Sequence, residues 1–201
     1  LIYNKKVTMI IKQYLYNGDL IHKRFAYEFF RKDVSPVGNV VAFRAPMDVT
    51  KNLIDLEDTL SNDFIASKDA INFCWEIPNL CPFGAVSFQR LFNTSIAQIL
   101  SKYIDAPIAM DGDDLMVQKT FVGSDGKERE EGKVSVSITY SLENVAVGHT
   151  AVNIDAGSDA PGFAYSSDLT DDAAESFMNE VIAYFNHEVK DQFVATTKVI
   201  V

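Results

Sequence analysis

The chain has 201 residues, 47% hydrophobic and 23% charged, with a formal net charge of −10. That is the composition of one globular domain, or at most two small ones, able to bury a core without disulfides or structural metal; it excludes a disordered chain. The negative charge disfavours nucleic-acid binding that relies on Lys and Arg to neutralise phosphates.

No apolar run approaches the roughly 20 residues of a membrane span. Cys74 and Cys81 form neither a disulfide framework nor, lacking neighbouring ligands, a zinc site, and they read as thiols of a reducing, cytoplasmic compartment. Residues 1–8 carry Lys5 and Lys6 without the apolar core of a signal peptide and are expected to be an upstream extension, leaving 9–201 as a single domain.

Residues 9–16 are rich in β-formers and close on the turn Asn17-Gly18-Asp19. The spacing of Ile21, Phe25, Phe29 and Phe30 predicts a helix over 20–32, ended by Ser35-Pro36. Residues 39–44 read as a buried strand delivering Arg44. Residues 49–60 read as an acidic helix with Leu53, Leu56 and Leu60 on one side, though Ile54 and Leu56 also suit a strand. A strand over 70–77 precedes a loop bracketed by Pro78 and Pro82, and a helix follows over 83–104 with Val86, Leu91, Ile96, Ile99, Leu100 and Tyr103 as its apolar stripe.

A brief strand over 107–110 leads into the acidic turn Asp111-Gly112-Asp113-Asp114. Residues 115–122 and 133–141 are expected to pair as a hairpin around the charged tip 123–132, and 145–154 is a further strand. After a polar loop, Thr170 caps a helix running to about residue 193, with Asp171 and Asp172 suited to its dipole, and 194–201 reads as a terminal strand. Strands clustered in the middle with helices segregated to one face predict an α+β sandwich.

The common catalytic signatures are absent: there is no phosphate loop, dinucleotide fingerprint, paired-histidine zinc helix or Gly-x-Ser-x-Gly elbow. One constellation remains. Lys133 opens a strand on which Ser135, Ser137 and Thr139 line one face. A lysine at the rim of such a face can hold a carboxylate or phosphate as a compact point charge. The plainer reading is a lysine solvating a strand end beside a water-facing surface.

The run Asp113-Asp114-Leu115-Met116-Val117 followed by Gly132-Lys133-Val134-Ser135 resembles the corresponding unit of the lipoate and biotin protein ligases. That resemblance implies that Lys133 takes the place of the lysine contacting the acyl carboxylate and adenylate phosphate. Asp114 then matches the Asp of an Asn-Asp pair and Asp113 stands where the Asn would be. Gly148-His149-Thr150 and Asn153-Ile154-Asp155 are similar to the strand and Asn-x-Asp that follow in lipoate ligases.

Nearly the whole chain from about residue 10 also resembles a family of archaeal, bacterial and viral proteins known as domain of unknown function 366. The resembling stretches include Tyr16-Asn17-Gly18, Val41-Ala42-Phe43-Arg44, Ile54-Asp55-Leu56-Glu57-Asp58, Trp75 with Pro78, Gln89 with Leu91, and Gly112-Asp113-Asp114. The resemblance implies a biotin/lipoate-ligase-like α+β fold, a mixed and largely antiparallel sheet with helices on one face. It implies no activity. Where the ligases carry an Arg- and Gly-rich adenylate loop, this chain reads Phe43-Arg44-Ala45-Pro46-Met47-Asp48.

Two functions follow as expectations. In the first, an enzyme activates or transfers a small carboxylic acid, with ATP and Mg²⁺ as cofactors. Lys133 would anchor charge, His149 would shuttle a proton, and Asp114 and Asp113 would hold the metal. Arg44, Trp75, Glu76, Gln89, Ser135 and Ser137 would contact substrate or nucleotide. Arg44 reads equally as an ion-pair partner of Asp55, Glu57 and Asp58, Trp75 as core, Gln89 as a structural amide, and His149 as a satisfied strand histidine. In the second, a binding or interaction module keeps the pocket without the chemistry. Either way the expected partner is a small molecule with an anionic group, and an exposed sheet edge suggests a homodimer.

Overall fold

The computed structural model describes residues 8–10, 14–50 and 52–198. In chain order they form β1 (Thr8–Ile10), α1 (Phe25–Phe30), β2 (Asn39–Val49), α2 (Leu56–Ser61), β3 (Ile65–Pro78), α3 (Pro82–Leu100) and β4 (Ile108–Asp111). There follow β5 (Asp114–Val117), β6 (Phe121–Val122), β7 (Glu128–Arg129), β8 (Gly132–Lys133), β9 (Ser135–Leu142), β10 (Val145–Asp155) and α4 (Asp171–Thr197). The main sheet has the order β1-β2-β3-β10-β9, antiparallel except for the β1–β2 pair. Two small sheets, β4-β5-β8 and β6-β7, sit beside it.

β10 is buried along almost its whole length, and β3 over residues 70–77, because the sheet is covered on both faces. Alternation then divides the core in two. Ala42, Ile71, Phe73, Trp75 and Val152 pack against α3 and α4. Val41, Phe43, Cys74, Val147 and Ala151 pack against α1 and the segment around Tyr16. The architecture is the expected mixed, largely antiparallel α+β sandwich, with the two long helices on one face; the short α1 closes the other.

The helix expected over 20–32 contracts to Phe25–Phe30 because Arg24 and Arg31 adopt positive φ at its ends. Ile21 is still buried, but from a loop, so its spacing reflected a shared core and not a shared helix. On α3 the buried face is Phe88, Gln89, Phe92, Asn93 and Ile96, whereas the expected stripe members Val86 and Leu91 are exposed. The phenylalanines offer more apolar area and form an aromatic cluster with Phe73, Phe177 and Phe185.

The strand expected over 194–201 is corrected: α4 continues through Thr197, and residues 199–201 lie outside the described residues. Extending an existing helix is easier than starting a strand, and the Thr196 and Thr197 hydroxyls bond back to the carbonyls of Phe193 and Val194. The expected extension also lies outside the described residues, except Thr8, which opens β1. Of the strand expected over 9–16, β1 keeps 9–10, residues 11–13 lie outside, and Tyr16 makes a single parallel bridge to Met47. The central hairpin is also rearranged. β5 pairs with β8 at Met116↔Lys133, whereas β9 turns into the main sheet to pair with β10.

Gly148 lies beneath the indole of Trp75, where a Cβ would stand 2.2 Å from a ring carbon. Gly148→Ala is therefore expected to lower the unfolding free energy by about 1–3 kcal/mol through overpacking, measured as a reduced urea midpoint. On the other face of the same strand, His149 is 4% exposed, and its Nε2 donates to Asn72 Oδ1 at 2.9 Å. Burial holds its pKa at about 3. The unfolded ring takes up a proton near 6.5 and the folded ring does not until about 3, so this stability is complete above 6.5 and falls as the pH drops through that window. Between pH 7 and pH 5 the native chain is expected to lose about 2 kcal/mol from this group, at roughly 1.4 kcal/mol per pH unit. His149→Gln should show a correspondingly smaller drop in denaturant titrations at the two pH values.

Candidate functional site

A cleft of about 340 Å³ opens on the α1 side of the sheet, between the 58–66 segment, the start of β9 and the 161–164 loop. Its walls are built by local rules. Asp55 caps α2 by accepting from the backbone N–H groups of Glu57 and Asp58, and Asn62 in the left-handed region ends that helix. The turn that follows brings Asp63, Phe64 and Ile65 to the rim. Opposite, the Lys133 N–H donates to Phe163 O and the Tyr165 N–H donates to Lys133 O, at 2.9 and 2.8 Å. Lys133 is thereby fixed between β5 on one side and this loop on the other.

The Lys133 side chain is half-buried at the cleft wall, and its Nζ donates to Asp114 Oδ2 at 2.8 Å. An ammonium has three donors, so the pair orients the group and leaves hydrogen-bonding capacity toward the cleft. Met47, Ile65, Val136 and Phe163 supply apolar surface, and Asp58 and Asp63 supply negative charge. A smaller hollow of about 50 Å³ shares Asp58, Ile65 and Val136 with the cleft and reaches Tyr16 and His149.

The hydroxyl row faces the other way. Gln89 Nε2 lies 2.8 Å from Ser137 Oγ and 2.9 Å from Asp113 Oδ2, and Thr150 Oγ1 donates to Asn93 Oδ1 at 2.8 Å. Asn93 Nδ2 donates to the Asp113 carbonyl, and the Leu115 N–H donates to Ser135 Oγ. These groups form a polar seam fastening α3 to β9, β10 and the 111–114 turn, so the row expected to face water or ligand faces a helix. Ser135 alone of the row also borders the cleft. Burial and the neighbouring Asp114 push the Asp113 carboxyl up.

Other expected site residues lie elsewhere. Arg44 projects to the α3/α4 face, where it binds Asp69 through Nε at 2.9 Å and also reaches Asp171 of α4. Its partners are these two acids and not the Asp55/Glu57/Asp58 group. Trp75 is fully buried beneath α3, and Glu76 is buried near the far end of β3, about 35 Å along the strand from Ile65. His149 is buried against Asn72 and burial lowers its pKa to about 3, an environment that disfavours the expected proton shuttling near neutrality. Asp114 and Asp113 turn to Lys133 and Gln89, and among the described residues no group of three or more His, Cys, Asp or Glu could hold a metal.

The structure thus brings together Lys133, Asp114 and Ser135 of the expected set and adds Asp58, Asp63 and Phe163. The spacing of Leu53, Leu56 and Leu60 points Asp58 to the outer side of an acidic helix, whereas in α2 Leu56 and Leu60 are exposed and Asp58 borders the cleft. The available signal for Phe163 was a pair of aromatic residues, Phe163 and Tyr165, in an otherwise Gly/Ser/Asp-rich loop. Among the described residues no helix is long and apolar enough to cross a membrane.

Solved structures share this architecture. A protein of unknown function from Pyrococcus horikoshi superposes with a TM-score of 0.76 at 21% identity, covering 96% of this chain and 97% of that one. A biotin protein ligase from Aquifex aeolicus, in complex with biotin and ATP, gives 0.54 at 10% identity over 93% of this chain and 73% of that one. A putative lipoate protein ligase from T. acidophilum with bound lipoic acid gives 0.52 at 10% identity, covering 92% and 87%. At these identities the likeness establishes the biotin/lipoate-ligase-like fold. No curated protein matches the chain. The sequence profile described as "Domain of unknown function (DUF366)" matches residues 5–200, and the chain belongs to that family.

Proposed function

We propose that the chain binds a small organic molecule in the Lys133 cleft, with an anionic group of the ligand on the Lys133 ammonium and its body against Met47, Ile65, Val136 and Phe163. The observation carrying this reading is the half-buried Lys133, pinned by Asp114 at 2.8 Å on the wall of a cleft of about 340 Å³. A preformed, largely apolar cavity with a few fixed polar groups is the usual form of a small-molecule site. Structures of this fold with biotin and ATP, and with lipoic acid, give the reading its precedent.

The residues present favour binding without a nucleotide-dependent ligation step. One lysine, already paired, faces two further carboxylates at the cleft, a poor environment for a triphosphate. The 43–48 segment, where the ligases carry their adenylate loop, is paired with β3 as part of the sheet apart from a bulge near Pro46, and is not available to wrap phosphates. The two carboxylates expected to hold Mg²⁺ are engaged by Lys133 and Gln89.

A thermal-shift panel of small carboxylic acids, with and without ATP and Mg²⁺, tests this. An acid at 100-fold over its Kd should raise Tm by about 5 °C or more, independently of ATP, with no release of pyrophosphate. Lys133→Ala should remove the shift. If every shift persists in that variant the cleft assignment is wrong, and pyrophosphate release with any acid would restore the ligase reading.

A further inference from the structure

Two further carboxylates border the Lys133 cleft, Asp58 half-buried and Asp63 exposed. Asp58 on α2 and Asp63 in the turn after it both border the cleft, and no hydrogen bond or salt bridge joins either side chain to another described residue. Among the described residues the Lys133 ammonium is paired with Asp114, at 2.8 Å, and with neither of these two acids. Asp58, Asp63 and Asp114 thus set three carboxylates about one ammonium at the cleft.

The orientation of α2 is a second and independent sign. Leu56 and Leu60 are 70% and 75% exposed, and no residue of the helix is buried. A short amphipathic helix ordinarily lays its leucines on the core and turns its acids to water. Here the leucines face out while Asp58 borders the cleft, where desolvation and then Asp55 push its carboxyl up despite the opposing pull of Lys133. The capping of α2 by Asp55 and Asn62 holds the helix in this rotation. The arrangement opposes both hydrophobic burial and carboxylate solvation, and a cationic guest in the cleft would relieve the second.

We infer that the ligand carries a protonated nitrogen, as an amine, amidine or guanidine, that docks between Asp58 and Asp63. With an anionic group on Lys133 the molecule is a zwitterion, a small carboxylic acid bearing a basic nitrogen. This rests on the cleft being the ligand site. Met47, Ile65 and Phe163 leave an apolar path between the two charged ends. A charge-assisted hydrogen bond to a partly desolvated carboxylate is among the stronger polar contacts available.

The test uses the full chain, ¹⁵N-labelled, titrated to millimolar concentration with hexanoate, hexylamine and 6-aminohexanoate. The expected result is that 6-aminohexanoate shifts the amides of Ile65, Val136 and Ala164 and binds about tenfold or more tightly than hexanoate. Asp58→Asn should reduce that preference to about twofold or less. It should also raise the Tm of the ligand-free chain by about 2 °C or more, because an unpartnered, desolvated carboxylate is replaced by a neutral amide. If hexanoate binds as tightly as 6-aminohexanoate, or Asp58→Asn changes neither preference nor Tm, the zwitterion inference is overturned while the Lys133 cleft stands. If none of the three probes moves the cleft amides, the cleft is not the ligand site and both readings fall.

Discussion

A sheet covered on both faces is the constraint from which the remaining features of this molecule follow. Once β3 and β10 are buried on each side, the two-residue period of a strand assigns every neighbour to one of two separate environments. Phe43 and Arg44 are adjacent in the chain, yet one packs beside Tyr16 and the other binds Asp69 and Asp171 beneath α4. Val136 and Ser137 divide in the same way, one to the cleft wall and the other to the seam with Gln89. The cleft accordingly takes Val136 but not Ser137 or Thr139, and of the hydroxyl row only Ser135, at the start of β9, reaches it.

This constraint also explains what could be read in the sequence. The α+β class and most of the strands were legible, because apolar alternation and the polar turns are local signals. The Lys133–Asp114 relationship was legible through resemblance, since the unit has a fixed spacing across β5 and β8. The face of the Ser135, Ser137 and Thr139 row was not. Alternation shows that these side chains share a face, but whether that face meets water or a helix depends on α3, a partner distant in sequence. Its Gln89 and Asn93 turn a hydroxyl row into an internal network.

The contraction of the first helix and the rotation of α2 escaped for a different reason. Apolar spacing records which residues are buried together and does not record whether a helix or a loop buries them. Ile21 and Phe25 reach the same core across a break at Arg24, where the backbone adopts φ of 74°. In α2 the leucines that would have predicted the buried side are the exposed ones. A local pattern that the tertiary structure overrides at a cost is often found at a functional site.

The electrostatic organisation of the cleft is the basis for proposing binding without a nucleotide. Phosphate recognition needs an excess of fixed positive charge or backbone N–H groups directed at the anion. This cleft has one ammonium, matched by Asp114, and its surplus is negative. The same surplus that opposes a triphosphate favours a guest with its own positive charge, so both proposals rest on one charge distribution. Lys133 and Asp58 border the same cavity, so under the proposed reading both ends of a bound zwitterion would be held within it. A ligand of only one sign would satisfy one wall and leave the other with its desolvation unrelieved.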